Sequence, residues 1–252
     1  MPNIFSIMKR LVVLQHISRE GPGLFSKIAK ELGMRILIIR LYLDEDLPKL
    51  LEGDVLLILG GPMGIMDIEG GSYKWLSKEV EFIKAALQQK ICMIGVCLGA
   101  QLIAYAAGGG VEHLVDASSR EPCPEVGWDL ITVEGDHVSD LAPILQNPLN
   151  VLHWHGDRIL LPSSAKLIAR SRRCKEQFFN IGRFAYGMQF HIEIDDKMVI
   201  NWIEEDQAFV KAALGEDAPR ILMAQQKRYG KVTLERRLDL LRMIFDSFKV
   251  DI

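Results

Sequence analysis

The sequence predicts an α/β fold, a parallel sheet with helices on both faces. Two observations carry it. Short, mostly apolar runs recur at residues 11–14, 36–41, 54–59 and 91–96, and runs of this length read as buried strands. Between them stand stretches whose apolar residues recur at helical spacing. Strands alternating with helices in this way belong to βαβ units.

Taken in order, Leu11-Val12-Val13-Leu14 is the first strand, and Glu20-Gly21-Pro22-Gly23 breaks it. Leu24, Ile28 and Leu32 then fall on one helix face, and Gly33 suits the C-cap. Residues 36–41 form the second strand. Residues 54–59 form the third, which ends in Gly60-Gly61-Pro62-Met63-Gly64. Leu76, Val80, Ile83 and Leu87 mark the next helix, residues 91–96 the fourth strand, and residues 98–107 the helix after it. Residues 91–111 carry no charge and reach the roughly 20 residues a bilayer span needs. Gly95, Gly99, Gln101 and the triplet Gly108-Gly109-Gly110 favour a strand, a sharp turn and a short helix instead.

The second half is less regular. Residues 126–133, 151–155, 167–171, 177–181 and 185–191 read as short strands. A helix over about 196–213 follows, with Val199, Trp202, Ile203, Phe209 and Val210 on one face, and Ala218-Pro219 punctuates. Leu234, Leu238, Leu241, Phe245 and Phe248 then make an amphipathic stripe. The stripe either docks on its own domain or serves as a partner surface. The expected organisation is one domain over 1–205 and a C-terminal helical extension over 206–252 packed on it.

Composition narrows the function classes. The 252 residues carry a net charge of −3, with 49% hydrophobic and 25% charged residues. That excludes a strongly basic nucleic-acid binder and wholesale disorder. Lys9 and Arg10 precede an apolar run that Gln15 and His16 end too early for a signal-peptide core. Cys92, Cys97, Cys123 and Cys174 form no CxxC pair, so a reducing cytoplasm is expected, with neither a membrane nor nucleic acid as partner.

Gly95-Val96-Cys97-Leu98-Gly99 ends a strand and opens a helix. This is the thiol version of the nucleophile elbow. The turn leaves almost no room around Cys97, and the flanking glycines supply it. The helix N-terminus beyond has unpaired N–H groups and a positive dipole end, a field that stabilises a thiolate. A thiolate needs a base, and His191 and Glu193, two apart in a strand, share a face. Glu193 is placed to orient the imidazole, which completes a nucleophile, base and orienter. Gly60-Gly61-Pro62-Met63-Gly64 lacks the spacing and the Lys of a phosphate loop. It is either a tight turn or a source of backbone N–H groups for an oxyanion hole. His153-Trp154-His155-Gly156-Asp157 has two histidines on one face but no further Cys or His at ligand spacing, so a pocket lining is expected and no metal. The basic run Arg170, Arg172, Arg173 and Lys175 reads as a solvated face.

Together these residues resemble the class I (triad-type) glutamine amidotransferases, in the free-standing branch similar to the glutaminase domain of GMP synthase. Residues 95–101 resemble that family's nucleophile motif, His191-x-Glu193 its other two triad members, and Gly60-Gly61-Pro62 its oxyanion loop. Glu125-Val126-Gly127-Trp128 and residues 153–157 are similar to segments of that branch. The resemblance spans roughly 10–205 and implies a flavodoxin-like three-layer sandwich around a central mixed, mostly parallel sheet. It further implies Cys97, His191 and Glu193 as catalytic residues and the N–H groups of Gly61 and Leu98 as the oxyanion hole. Gly60, Gln101, Trp154, His155 and Gly156 are implied as substrate contacts. Glutamine or a γ-glutamyl compound is the expected substrate, no cofactor is expected, and the partner is a synthetase-type protein or a second copy. No ATP-pyrophosphatase motif of the S-G-G-x-D-S kind is present, and the helical tail runs past the usual end of the domain. The alternatives are a γ-glutamyl peptidase and a non-catalytic binding subunit.

Overall fold

The computed structural model describes residues 9–71, 73–134 and 147–249. Five strands make the parallel end of the main sheet: β1 (Arg10–Gln15), β2 (Arg35–Arg40), β3 (Asp54–Ile58), β4 (Cys92–Val96) and β11 (Ala185–Met188). Four more extend it antiparallel: β6 (Glu125–Val133), β7 (Leu149–His155), β9 (Ala165–Arg170) and β10 (Phe178–Ile181). The order across the nine-stranded sheet is β2-β1-β3-β4-β11-β10-β9-β6-β7. A small second sheet pairs β5 (Gly110–His113) with β8 (Asp157–Leu160). The sequence reading contains neither of its strands.

Alternation along the parallel strands explains their continuous apolar runs. Leu11, Val13, Val55, Leu57, Ile94 and Val96 face one layer with Phe25 and Ile28 of helix α1 (Gly23–Glu31). Val12, Leu14, Leu56, Ile58 and Met93 face the other, against α3 (Lys74–Gln88) and α4 (Leu98–Ala106). A short helix, α2 (Asp67–Gly70), precedes α3. Both sheet faces are buried, so both sets of alternate positions are apolar. This is the three-layer α/β sandwich that the motifs imply, with its parallel order concentrated at one end.

The C-terminal region differs from expectation in two ways. The helix expected over 196–213 is two, α5 (Asp196–Glu205) and α6 (Gln207–Leu214). They break at Asp206, whose carboxylate accepts from Arg19 Nη2 at 2.7 Å and Trp154 Nε1 at 3.0 Å. Ala218-Pro219 opens a further helix, α7 (Ala218–Tyr229), because proline fits a first helical turn. The last helix, α8 (Leu234–Ser247), buries Leu238, Leu241 and Phe245, with Phe248 just beyond, in the same cluster as β1 and α1. The stripe faces inward.

Candidate active site

The carboxyl ends of β3, β4 and β11 meet at Cys97. The residue has φ 50° and ψ −108°, a left-handed backbone that a non-glycine residue rarely adopts. Neighbouring strands hold it there: Cys97 N–H donates to Met188 O at 2.8 Å and Gly99 N–H to Leu59 O at 3.1 Å. A Cβ on Gly99 would collide with the Ile58 carbonyl. One on Gly95 would lie 2.5 Å from the Gly99 carbonyl carbon. Rigid backbone makes up both obstacles, so the elbow closes only with glycine at these positions.

Around the thiol the fold assembles a polar set. His191 stands beside Cys97, and its Nδ1–H donates to Glu193 Oε1 at 2.7 Å. Cys97, His191 and Glu193 are 7%, 2% and 1% exposed, so the chemistry is screened from bulk water. Burial works against the imidazolium, yet Glu193 and Cys97 raise His191 well above the ordinary histidine range. Strand β11 ends at Met188, so His191 and Glu193 stand just past the strand predicted to carry them. Their backbone is held instead by His191 N–H to Leu152 O at 2.8 Å and Leu24 N–H to Glu193 O at 2.9 Å. Arg237 of α8, buried beneath, donates through Nη1 to the carbonyls of Ile192 and Ile194 at 3.1 and 2.9 Å. Trp202 packs edge-on against the His191 ring at 4.7 Å.

Gly60 and Gly61 border the same space. A Cβ on Gly60 would lie 2.9 Å from His191 Cε1 and 3.4 Å from Cys97 Cβ, and one on Gly61 would lie 3.2 Å from Leu98 Cδ2. His16 anchors this loop. Its Nδ1–H donates to Gly60 O and its Nε2–H to Glu79 Oε1, both at 2.9 Å. Donation from both nitrogens defines an imidazolium. Although burial opposes that charge, Glu79 and the Gly60 carbonyl raise His16 above the ordinary range.

Gln101 Nε2 donates to Gln189 Oε1 at 3.3 Å, and Gln189 Nε2 reaches Cys97 Sγ at 3.6 Å. Gln189 has no role in the sequence reading, although its place two residues before His191 put it on the same face. The 153–157 segment splits. The Trp154 carbonyl lies 3.8 Å from Cys97 Sγ, while a Cβ on Gly156 would be 3.8 Å from Phe209 of α6. The His155 side chain turns into a buried network, with Nδ1 2.8 Å from Asp157 O and Nε2 3.1 Å from Glu125 Oε2. Glu125, His153 and His155 bring their ligand atoms within 4.8 Å of one another. The fold thus brings up from β6 a third group of ligand type, a carboxylate, where the sequence reading looked for a further Cys or His. These groups already engage each other. Glu125 accepts from Ser171 Oγ and Gln177 Nε2, both at 2.6 Å, and burial holds His153 neutral, down to about 4. Hydrogen bonds join His155, Glu125, Ser171 and Gln177, whereas neither ring nitrogen of His153 has a hydrogen-bond partner among the described residues.

A family model for class-I glutamine amidotransferases matches residues 25–198. The chain belongs to the class I glutamine amidotransferase family. The matched span holds Cys97, His191, Glu193 and the Gly60-Gly61 loop, the residues whose motifs resemble that family. The glutamine amidotransferase-like protein YfeJ of Salmonella typhimurium is 32% identical over 82% of this chain and 85% of its own. A glutamine-hydrolysing GMP synthase subunit of Saccharolobus solfataricus is 28% identical over 68% of this chain and 82% of its own. The crystal structure of a glutamine amidotransferase from Thermotoga maritima superposes with a TM-score of 0.78 at 29% identity, covering 94% of this chain and 98% of that one. Among the described residues no helix is long and apolar enough to cross a membrane. The uncharged stretch over 91–111 is β4, the elbow, α4 and the start of β5.

Proposed function

We propose that the chain hydrolyses the γ-carboxamide of glutamine through a thioester on Cys97, releasing ammonia. The supporting observation is the buried Cys97–His191–Glu193 series, with the imidazole bonded to Glu193 at Nδ1 and standing beside Cys97. Cys97 thiolate attacks the amide carbon. The N–H groups of Leu98, at the α4 N-terminus, and of Gly61 hold the resulting oxyanion; one such donor is worth about 10²–10³ in kcat. The C–N bond breaks as His191 gives its proton to the leaving ammonia. The imidazole then takes a proton from water, which attacks the thioester and frees glutamate and the thiolate. Glu193 keeps Nδ1 protonated throughout. Gly60, Gln101, Trp154, His155 and Gly156 make the substrate pocket in this reading, with His155 acting through the backbone it holds. Residues 1–205 form the amidotransferase domain and 206–252 the helical extension packed on it. A synthetase-type partner takes up the ammonia in the cytoplasm, the other candidate partner being a second copy of the chain, and the isolated chain turns glutamine over slowly.

The test measures glutamate release from glutamine and from γ-glutamyl dipeptides, together with labelling by a glutamine-like electrophile. Expected is a higher kcat/KM on glutamine and modification of Cys97, while Cys174, which burial pushes up to about 12, stays unlabelled. A higher kcat/KM on the dipeptides makes the chain a γ-glutamyl peptidase. Turnover surviving in Cys97→Ala overturns the mechanism, and fast turnover by the isolated chain removes the need for a partner.

A further inference from the structure

The loop between β1 and α1 delivers a carboxylate that the mechanism above does not use. Glu20 is 6% exposed, and its Oε2 has no hydrogen-bond partner among the described residues. Buried polar atoms are nearly always paired, so an unpaired carboxylate oxygen calls for a physical reason. The adjacent guanidinium does not supply one. Arg19 Nε stays 4.0 Å from Glu20 Oε1, while its two amino groups donate to Glu205 at 3.2 Å and Asp206 at 2.7 Å.

The position of Oε2 does supply one. A Cβ on Gly60 would collide with Glu20 Oε2 and come within 2.9 Å of His191 Cε1. The carboxylate and the imidazole edge therefore face each other across the side chain that Gly60 lacks. Cε1 lies between the two ring nitrogens, and its C–H carries part of the imidazolium charge, so it is a fitting neighbour for a carboxylate oxygen. Glu193 takes the ring at Nδ1 and Cys97 lies on the other side, which leaves the Cε1 edge for Glu20.

We propose that Glu20 is a second carboxylate for His191, a positioning residue that stabilises the imidazolium partner of Cys97 from the Cε1 edge. The inference rests on the roles given above to Cys97 and His191. It adds a residue outside the 25–198 span shared with the family model. Burial raises Glu20 above the ordinary carboxylate range and Glu193 adds to that, while the other charged groups facing it, His191, Arg19 and His16, pull toward the ionised form. A carboxylate enclosed this way responds strongly to whether His191 is charged.

The test follows His191 directly by NMR titration of histidine-labelled full-length protein, its signal assigned from His191→Gln. An opposite charge at this range shifts a titration by about one unit or more. Glu20→Gln should therefore lower the pH at which His191 loses its proton by about one unit. The alkaline limb of kcat/KM should move with it, while KM changes less than kcat. Glu20→Asp, which keeps the charge but withdraws it, should shift His191 in the same direction by less. A purely structural Glu20 would lower the melting temperature and leave the His191 midpoint in place. An unmoved midpoint in either folded variant overturns the proposal. Because the midpoint needs no substrate, a wild-type protein that titrates as expected but releases no glutamate refutes the proposed reaction and leaves this inference standing.

Discussion

Arg237→Met tests how far the C-terminal helix supports the site. The guanidinium is 2% exposed and donates to three carbonyls, those of Ile192, Ile194 and Gly230, at 3.1, 2.9 and 2.9 Å. Hydrogen bonds from a charged donor contribute about 1.5–3 kcal/mol each, so the three together are worth about 4–9 kcal/mol. Against this, burial lowers Arg237 from 12.5 to about 10, a cost of about 3 kcal/mol for the charged form. Methionine keeps most of the apolar stem, removes that cost and leaves three carbonyls unpaired. The net loss is about 3 kcal/mol, which for a chain of this size lowers Tm by about 6–12 °C. The assay is a thermal melt paired with glutamine turnover well below the transition. Turnover should also fall, because the Ile192 and Ile194 carbonyls flank Glu193. Arg237→Lys should recover only part of either loss, since an ammonium lacks the planar fork. A Tm unchanged in Arg237→Met, with turnover intact, would refute this account of the helix.

Three further outcomes are expected. His191→Ala should reduce turnover by at least the 10²–10⁴-fold typical of a lost general acid–base, and Glu193→Gln should retain more; the reverse order in steady-state rates would exchange their roles. His153 is neutral in the folded chain, with its value depressed to about 4, so below its unfolded value of about 6.5 the unfolded chain takes up a proton that the folded chain refuses. His153 therefore withdraws stability as the pH drops from about 6.5 toward 4, about 2 kcal/mol by pH 5. His16 and His191, both raised, act in the opposite sense, so the measure is the difference. Urea melts at pH 7 and pH 5 should show wild type changing by about 2 kcal/mol relative to His153→Leu, with equal slopes counting against the assignment. Truncation after Gly230 removes Leu238, Leu241, Phe245 and Phe248, each at most 1% exposed; at about 1.5–3 kcal/mol per side chain that approaches the whole stability of a domain, so circular dichroism should show an unfolded chain, and a folded one would mean that the stripe is dispensable.

What could be read in advance follows from where the information lies. Strands β1, β3 and β4 are legible because two buried faces force an unbroken apolar run. The elbow is legible because its glycines answer to backbone only a few residues away. His191 and Glu193 are legible because they are neighbours in sequence. Contacts made across the chain are not. Asp206 breaks a helix to meet Arg19 and Trp154, which are 187 and 52 residues away, and its own neighbours favour continuation. Pro219 reads as a stop until the helix after it is seen. Arg237 looks like one more cation on a polar helix face, and Glu125 becomes a neighbour of His153 and His155 only through the pairing of β6 with β7. Short β5 and β8 pair across a long gap and carry little apolar pattern of their own.

The pairing of β4 with β11 has a consequence for the chain as it is made. Cys97 follows β4, but its partner histidine is at residue 191, and α8 closes over β1 and α1 later still. Synthesis at about 5–20 residues per second separates the thiol from the imidazole by about 5–20 s. During that interval the emerging polypeptide presents a cysteine without a proton acceptor and a sheet without its central strand. By the mechanism proposed above it cannot turn glutamine over in that interval, and its thiol is not yet enclosed by the fold. Translational pauses between these two residues would lengthen that exposure, whereas pauses before Cys97 would not.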